Sequence, residues 1–345
     1  MATTAQTSAH ATPAGQPHAA HQGDLLRIAV GVTGKLPDEQ LQQAQQMGCS
    51  GVVVASPAIP FDNGWSYDDL ARLRERIESF DLRWEAIQHT PLDRFDEIRL
   101  GLPGRDREIE NYQNTIRNMG RAGIPILAYN WRPNRVYRTG TIAGRGGARV
   151  TAFDAELAKD LPLSHGRAYT AEEMWQTYEY FITRVIPVAE EAGVKLALHP
   201  DDPPGHDVGG VARIMSSFEG FKRASEIVDS PNWGLLFCIG CWTEMGGTDY
   251  ALNGIRHFGE RGKLFYVHFR DVQGTAGKFR ECFPGEGILD VTAVMRALKE
   301  VRFTGAIIDD HAPHMVGDEG WAPKSRAYQT GYLMGMLRVL EDLSQ

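Results

Sequence analysis

Short apolar runs alternate with amphipathic stretches along most of the chain. Several of the apolar runs are continuous rather than alternating, which is typical of parallel strands that are covered on both faces. Eight such runs predict strands: Leu26–Val32, Gly51–Ser56, Leu82–Gln88, Ile126–Trp131, Lys195–His199, Gly234–Ile239, Lys263–Arg270 and Ala306–Asp310.

The stretches between these runs have the periodicity of helices that bury one face. Pro37 and Asp38 form a typical helix start, and the glycines after Ala122 and Ala192 mark helix ends. The predicted helices are Asp38–Met47, Tyr67–Ser79, Glu108–Ala122, Ala171–Ala192, Phe221–Val228, Thr248–Phe258 and Val291–Val301. This order predicts an α/β fold, a (β/α)8 TIM barrel. A doubly wound open sheet is the alternative, since counting strands does not show closure.

The pattern predicts one barrel domain over residues 24–345, after a flexible tail at residues 1–23. One connection is much longer than the others. It runs from about residue 132 to residue 170, is rich in glycine, arginine and proline, and follows the fourth predicted strand. In a barrel it lies at the catalytic end, so we expect either a cover for the active site or a disordered loop.

Composition narrows the functional classes. The net charge of −8 argues against a nucleic-acid partner, and any site for an anion must be local. No apolar run approaches the roughly 20 residues of a membrane span, so no membrane partner is expected. Four scattered cysteines do not make a disulfide framework, and the first 23 residues lack the apolar segment of a secretory signal. We therefore expect a cytoplasmic protein.

Four chemically competent side chains stand at the carboxyl ends of consecutive predicted strands: His199, Cys238, His268 and Asp310. One such residue alone is explained by packing, but four in succession are not. The carboxyl ends of barrel strands converge, and imidazole, thiolate and carboxylate all bind divalent metals. The sequence therefore predicts a metal centre. Ligand softness alone favours zinc, with iron or manganese as alternatives.

Further candidates lie next to this quartet, the name we keep for those four residues. Cys241 completes a Cys-x-x-Cys with Cys238, but the motif begins on an apolar strand, which disfavours a redox pair, and we expect a strand-end or loop residue. Asp201 and Asp202 follow His199 either as part of a turn or with one of them orienting a ligand imidazole or holding a substrate hydroxyl. His311 is a candidate acid or base beside the metal.

Four segments resemble the D-mannonate dehydratases, which are xylose-isomerase-like barrel lyases. They are Asn111–Asn118, Tyr129–Pro133, Ile186–Val194 and the specific His-Pro-Asp-Asp-Pro-Pro at 199–204. The resemblance covers about Gly51 to Leu340. It implies that the quartet holds a divalent metal, commonly Mn²⁺ with Zn²⁺, Fe²⁺ or Co²⁺ as alternatives, and that His311 is the acid/base histidine. Arg270 also matches the family.

The chain departs from the family beside the metal ligands. Ile308 and Asp309 stand where the family carries Arg-Pro, and residues 240–243 read Gly-Cys-Trp-Thr instead of Gly-Ser-Tyr-Gly. The family's catalytic tyrosine falls on Ala327, with Tyr328 one residue later. We take Tyr328 as a second catalytic candidate. The candidate substrate contacts are Arg270, Asp202, Asn130 and Trp242.

The resemblance implies dehydration of a sugar acid, D-mannonate or a related aldonate, to a 2-keto-3-deoxy sugar acid. A sugar isomerase, an epimerase or a keto-sugar lyase on the same metal barrel is the alternative, because the arginine expected at Ile308 is missing. A non-catalytic sugar-binding paralogue is a third hypothesis. The expected partners are a small sugar acid or sugar and further copies of the chain in a homo-oligomer.

Overall fold

The computed structural model describes residues 26–342, and the predicted tail at residues 1–23 lies outside them. The strands in this range are β1 (Arg27–Val32), β2 (Gly51–Val54), β3 (Arg83–Ile87), β4 (Ile126–Asn130), β5 (Gly140–Ala143), β6 (Arg149–Asp154), β7 (Lys195–His199), β8 (Trp233–Cys238), β9 (Leu264–Phe269), β10 (Asp271–Thr275), β11 (Lys278–Cys282) and β12 (Ala306–Asp309). The helices are α1 (Asp38–Gln46), α2 (Tyr67–Glu78), α3 (Asp96–Leu100), α4 (Arg105–Arg121), α5 (Ala155–Ala158), α6 (Ala171–Ala192), α7 (Phe218–Ile227), α8 (Ile239–Gly259), α9 (Val291–Glu300) and α10 (Pro323–Asp342).

Eight parallel strands close into a barrel in the order β1-β12-β9-β8-β7-β4-β3-β2. They are the eight predicted strands, with ends that differ by at most two residues. The predicted (β/α)8 barrel is therefore confirmed, and the open sheet is excluded. Among residues 26–342 there is no helix with the length and apolar character that a membrane crossing requires.

The barrel strands bury both faces, which explains why their sequences are continuously apolar. In one cluster of barrel-strand residues, Ala29, Ala86, Ala128 and Ala197 pack with larger side chains such as Tyr266. The larger side chains of the alternate positions form the main core against the helices. Side chains at the carboxyl ends of the strands are left to form the mouth of the barrel.

Local signals set the helix ends. Thr170 and Glu173 form a reciprocal capping box at the start of α6, and Gly193 ends that helix at a φ of 66°. Ser217 caps α7, which therefore begins three residues before the predicted start. The sequence pattern missed α3 and α10, and it placed the start of α8 too late. That helix begins directly after β8 and is interrupted at Gly246 and Gly247.

The long connection after β4 differs from the prediction. It is not a loop throughout, because β5, β6 and α5 lie within it. A four-stranded antiparallel sheet in the order β10-β11-β6-β5 joins this segment to the hairpin that follows β9. Phe279 pairs with Phe153 across β11 and β6, two residues far apart in the chain. This sheet was missed because its pairing depends on a partner segment that local periodicity does not reveal.

Candidate metal centre and active site

The barrel brings the predicted quartet together at its mouth. His199 ends β7, Cys238 ends β8, His268 lies near the end of β9, and Asp310 follows β12 directly. Parallel pairing places Cys238 opposite His268. Sγ of Cys238 lies 3.5 Å from Oδ2 of Asp310, and Nδ1 of His268 lies 3.5 Å from Oδ1 of the same carboxylate. The rings of His199 and His268 are 5.4 Å apart between centroids.

These side chains fit a transition metal. Ligand atoms of Cys238, His268 and Asp310 lie within 4.8 Å of one another, a spacing that one cation can bridge. Both ring nitrogens of the buried His268 lack a hydrogen-bond partner among residues 26–342, and a buried imidazole without a partner is unusual. Two imidazoles, a thiol and a carboxylate are a typical donor set for a divalent transition metal.

The charge around Cys238 favours the metal-binding form of its thiol. Burial alone would raise the pKa of this thiol, but the hydrogen bond with Cys241 and the charge of Arg270 hold it well below its usual range. A thiolate, not a thiol, binds metal. The groups around Cys238 therefore favour its thiolate form.

A hydrogen-bond network orients the first histidine. Nδ1 of His199 lies 2.6 Å from the carbonyl oxygen of Pro200, and Arg132 donates to that carbonyl as well. With Nδ1–H donating to the carbonyl, Nε2 carries the lone pair that a metal accepts. Burial lowers the pKa of His199, so its ring is held neutral. Arg132 stands in the Tyr-Asn-Trp-Arg-Pro segment but was not predicted to have a role.

A fully buried guanidinium lies beneath the quartet. Arg270 pairs with Glu244 at 2.5 Å, with Asp202 at 3.1 Å and with Oδ2 of Asp310 at 3.0 Å. Its side chain has no solvent exposure, so the structure does not support the prediction that Arg270 contacts substrate directly. Its carboxylate partners instead make it a group that orients Asp310. The Cβ of any residue at Gly240 would lie 2.4 Å from Cγ of Arg270, which explains the glycine there.

Asp202 belongs to the same buried network. Arg138, in the long connection after β4, pairs with Asp202 at 2.5 Å and with Glu281 of β11 at 2.8 Å. Asp202 is buried, and its two arginine partners, Arg138 and Arg270, occupy its oxygens. Asp202 therefore holds two arginines, and neither predicted role, orienting a ligand imidazole or contacting a substrate hydroxyl, is supported by these contacts. Arg138 also ties the small sheet to the mouth of the barrel.

His311 lies at the edge of the quartet and is partly exposed. Its Nδ1 lies 2.7 Å from Oε1 of the buried Glu281, and its Nε2 lies 3.8 Å from Oδ1 of Asp310. Burial lowers the pKa of His311, but the carboxylates of Asp310 and Glu281 outweigh this effect and raise it to about 9. Glu281 thus fixes one ring nitrogen and leaves the other facing the ligand set. No pattern in the sequence pointed to Glu281, whose burial depends on the small sheet.

We expected Cys241 to lie at a strand end or in a loop, but it lies in a helix. Cys238 is the N-cap of α8, and Cys241 lies in the first turn of that helix. The motif does begin on an apolar strand, as predicted, because Cys238 is the last residue of β8, but it also spans the start of α8. Nη2 of Arg270 donates to Sγ of Cys241 over 3.2 Å, and ligand atoms of His199, Cys238 and Cys241 lie within 4.8 Å of one another.

Asn130 and Tyr328 lie apart from the open part of the site. The side-chain oxygen of the buried Asn130 accepts hydrogen bonds from Nη2 of Arg99 at 3.0 Å and from the backbone N–H of Arg132 at 3.4 Å. Tyr328, on α10, packs its ring edge-on against Phe283. Asn130 therefore supports the loop that carries Arg132. The catalytic role of Tyr328 stays a prediction.

Trp242 packs in the core instead of facing a ligand. Its ring stacks on Phe237 with centroids 4.8 Å apart and on Phe221 with centroids 5.1 Å apart. The side chain is fully buried, so its predicted contact with substrate is not supported. The prediction did not include a helix at this position. Because α8 begins at Ile239, residue 242 is turned toward α7.

We expect Trp242→Ala to act on stability and not on substrate binding. Truncating a buried tryptophan lowers the free energy of unfolding by about 3–5 kcal/mol. Denaturant unfolding should show this loss, whereas KM at a temperature where the variant is folded should stay unchanged. A raised KM with unchanged stability would contradict the packing role.

A cavity of about 170 Å³ opens beside the quartet at the mouth of the barrel. Its lining includes His268, Asp310 and His311, together with Trp321 and Arg326 from the carboxyl-terminal region. A larger groove of about 540 Å³ lies on the small sheet and is lined largely by apolar side chains such as Phe153 and Phe279, with no member of the quartet. The groups suited to chemistry thus surround the smaller cavity.

Comparisons with known proteins agree with this geometry. The family model described as D-mannonate dehydratase (UxuA) matches residues 33–345. The mannonate dehydratase of Thermotoga maritima is 29% identical over 347 residues, which are 88% of this chain and 95% of that protein. That of Streptococcus pneumoniae is 28% identical over 84% of this chain and 87% of its own length.

Solved structures give the same result. The mannonate dehydratase from Streptococcus suis serotype 2 superimposes with a TM-score of 0.84 at 28% identity, over 93% of this chain and 95% of that one. An L-ribulose 3-epimerase superimposes with a TM-score of 0.60 at 16% identity, over 92% of this chain and 97% of that one. The second likeness concerns the fold alone.

Proposed function

Because the chain belongs to the D-mannonate dehydratase family, we propose that it converts D-mannonate or a related aldonate to a 2-keto-3-deoxy sugar acid. Family membership makes it a hydro-lyase. The observation that supports this proposal best is the convergence of Cys238, His268 and Asp310 beside an open cavity, with His199 next to Cys238.

The family implies a divalent metal, and we propose that the quartet holds it. The buried nitrogens of His268 without partners and the low-pKa thiol of Cys238 support this assignment. When bound, the cation supplies a Lewis acid that polarises the substrate carboxylate and favours loss of the neighbouring proton. We propose Mn²⁺ as the ion, from the resemblance to the family, with Zn²⁺, Fe²⁺ and Co²⁺ as alternatives that suit the same donors.

We propose that His311 is the acid/base group of the reaction. Its pKa of about 9 means that it carries a proton at neutral pH, and it gives that proton to the C3 hydroxyl, which leaves as water. Dehydration removes the proton from C2 and the hydroxyl from C3 of the sugar acid, and the resulting enol tautomerises to the 2-keto product. Glu281 accepts from Nδ1 of His311, which leaves the other ring nitrogen, Nε2, 3.8 Å from Oδ1 of Asp310. A positioned histidine of this kind typically accelerates proton transfer by about 10²–10⁴-fold. Arg138 holds Glu281 in place and is a positioning residue.

The decisive experiment is an aldonate panel. We expect metal-loaded protein to release one 2-keto-3-deoxy acid and one water from a preferred hexonate, as measured by mass spectrometry of the product. Protein treated with a chelator should lose this activity and recover it with Mn²⁺. If no aldonate is converted, while solvent deuterium enters a neutral keto-sugar without loss of water, the chain is an isomerase or epimerase instead. The homo-oligomer stays a prediction.

A further inference from the structure

We propose that Arg326 binds the carboxylate of the sugar-acid substrate and that Asp309 positions it for this role. The inference rests on the proposed function, because that function requires an anionic substrate. The chain as a whole carries a net charge of −8, so a site for an anion needs a local cation. Arg270 and Arg138 are not available, since all three guanidinium nitrogens of each already donate to protein groups.

Arg326 is at the right place. It lies near the start of α10, and its side chain lines the same cavity as His268, Asp310 and His311. Of the described residues that line this cavity, Arg326 supplies the only guanidinium. Its side chain is 22% exposed, in contrast to the fully buried Arg270. A ligand in the cavity therefore meets both the metal-binding side and this cation.

The guanidinium is fixed on two of its three nitrogens. Nη1 pairs with Oδ2 of Asp309 at 2.5 Å, and Nε donates to the carbonyl oxygen of Trp321 at 2.7 Å. The indole N–H of Trp321 in turn donates to the carbonyl oxygen of Gly31 on β1. For Nη2, no hydrogen bond is found within residues 26–342. This nitrogen is the one that we assign to the substrate.

Asp309 is buried, and the backbone N–H of Gly31 donates to its Oδ1 over 3.3 Å. A buried ion pair contributes little net stability, and its best-attested use is to fix geometry. Here it holds a cation that would otherwise move freely on α10. Ile308 and Asp309 occupy the two positions before Asp310 at which the family carries Arg-Pro. The missing arginine at position 308 had favoured a neutral substrate. Arg326, which lies on α10, supplies a positive charge at the mouth of the barrel in its place.

The experiment compares Arg326→Gln with Arg326→Lys in the full, metal-loaded protein. We expect Arg326→Gln to weaken binding of D-mannonate by about 10- to 100-fold in calorimetric titrations, as loss of a charged hydrogen bond does. KM should rise by a similar factor, with a smaller fall in kcat. Arg326→Lys should recover part of the affinity, because it keeps the charge but not the planar fork.

A neutral ligand separates substrate contact from a structural role. Binding of D-mannitol, which lacks the carboxylate, should be the same in wild type and Arg326→Gln. The double variant R326Q/D309N leaves no buried carboxylate without a partner and should show the same selective loss. Arg338→Gln changes an exposed arginine of the same helix and should have no effect.

Two results would overturn the inference: unchanged mannonate affinity in Arg326→Gln, or equal weakening of mannonate and mannitol. Because binding is measured directly, this test does not depend on turnover. A wild-type protein that binds mannonate through Arg326 but releases no keto acid would contradict the proposed function and still support the carboxylate site.

Discussion

Asp310→Asn should lower the rate of dehydration by about 10³-fold or more and should release the bound metal. The amide keeps the shape of the side chain but removes the negative charge that faces Cys238, His268 and Arg270. Loss of the charge stabilisation that a held cation supplies to a developing anion has an effect of this size. Product release and metal content per chain, measured on the same preparation, are the two readouts.

The neighbouring residue provides the comparison for this prediction. His311→Asn should also slow turnover, but the metal should stay bound, because His311 is hydrogen-bonded to Glu281 and is not part of the quartet. His257→Gln, a histidine on the outer side of α8 that packs against Phe218, is the neutral control and should change neither readout. If Asp310→Asn kept its metal and its rate, the proposed ligand set would be wrong.

The second large effect concerns stability. Arg270→Met should lower the free energy of unfolding by about 3–5 kcal/mol, because it leaves buried carboxylates without their partner. Glu244 is the most sensitive of them, since its side chain has no solvent exposure and one of its oxygens lacks a hydrogen bond among the described residues. Denaturant unfolding of the metal-loaded protein measures the loss, and metal affinity should fall as well because Asp310 loses its Nε donor.

Two further variants test this explanation. Arg270→Met combined with Glu244→Gln should recover part of the lost stability, since the double change removes one of the stranded charges. Arg256→Met, at an exposed arginine 3.8 Å from Glu300, should cost less than about 1 kcal/mol. Equal losses at Arg256 and Arg270 would show that burial of the charge network is not the cause.

Arg270 and Arg326 both lie near the mouth of the barrel, but they have different functions. Arg270 is buried beneath the quartet and holds Asp310, whereas Arg326 faces the cavity and keeps one nitrogen for a ligand. The missing arginine at Ile308 favoured a neutral sugar when the sequence was considered alone. With Arg326 at the mouth, that reason for an isomerase or epimerase no longer holds.

Much of the fold follows from local patterns in the sequence. The eight apolar runs predict the barrel strands because each strand is buried on both faces, and Gly123 and Gly193 mark the helix ends that their positive φ angles require. The quartet was also visible, because a residue at the carboxyl end of a barrel strand faces the mouth whatever its neighbours are. Each of these inferences needs only a segment and its periodicity.

Contacts between distant segments could not be predicted in this way. Glu281 meets Arg138 across 143 positions of the chain, and Arg326 reaches the mouth only because α10, which the sequence pattern missed, packs beside β1. The direction of Trp242 depended on where α8 begins. The sequence by itself therefore determined the barrel, the family and the residue types that we propose as metal ligands. The tertiary structure decided which charges are buried as partners and which one faces the cavity, because pairing and burial depend on side chains that many different segments bring together.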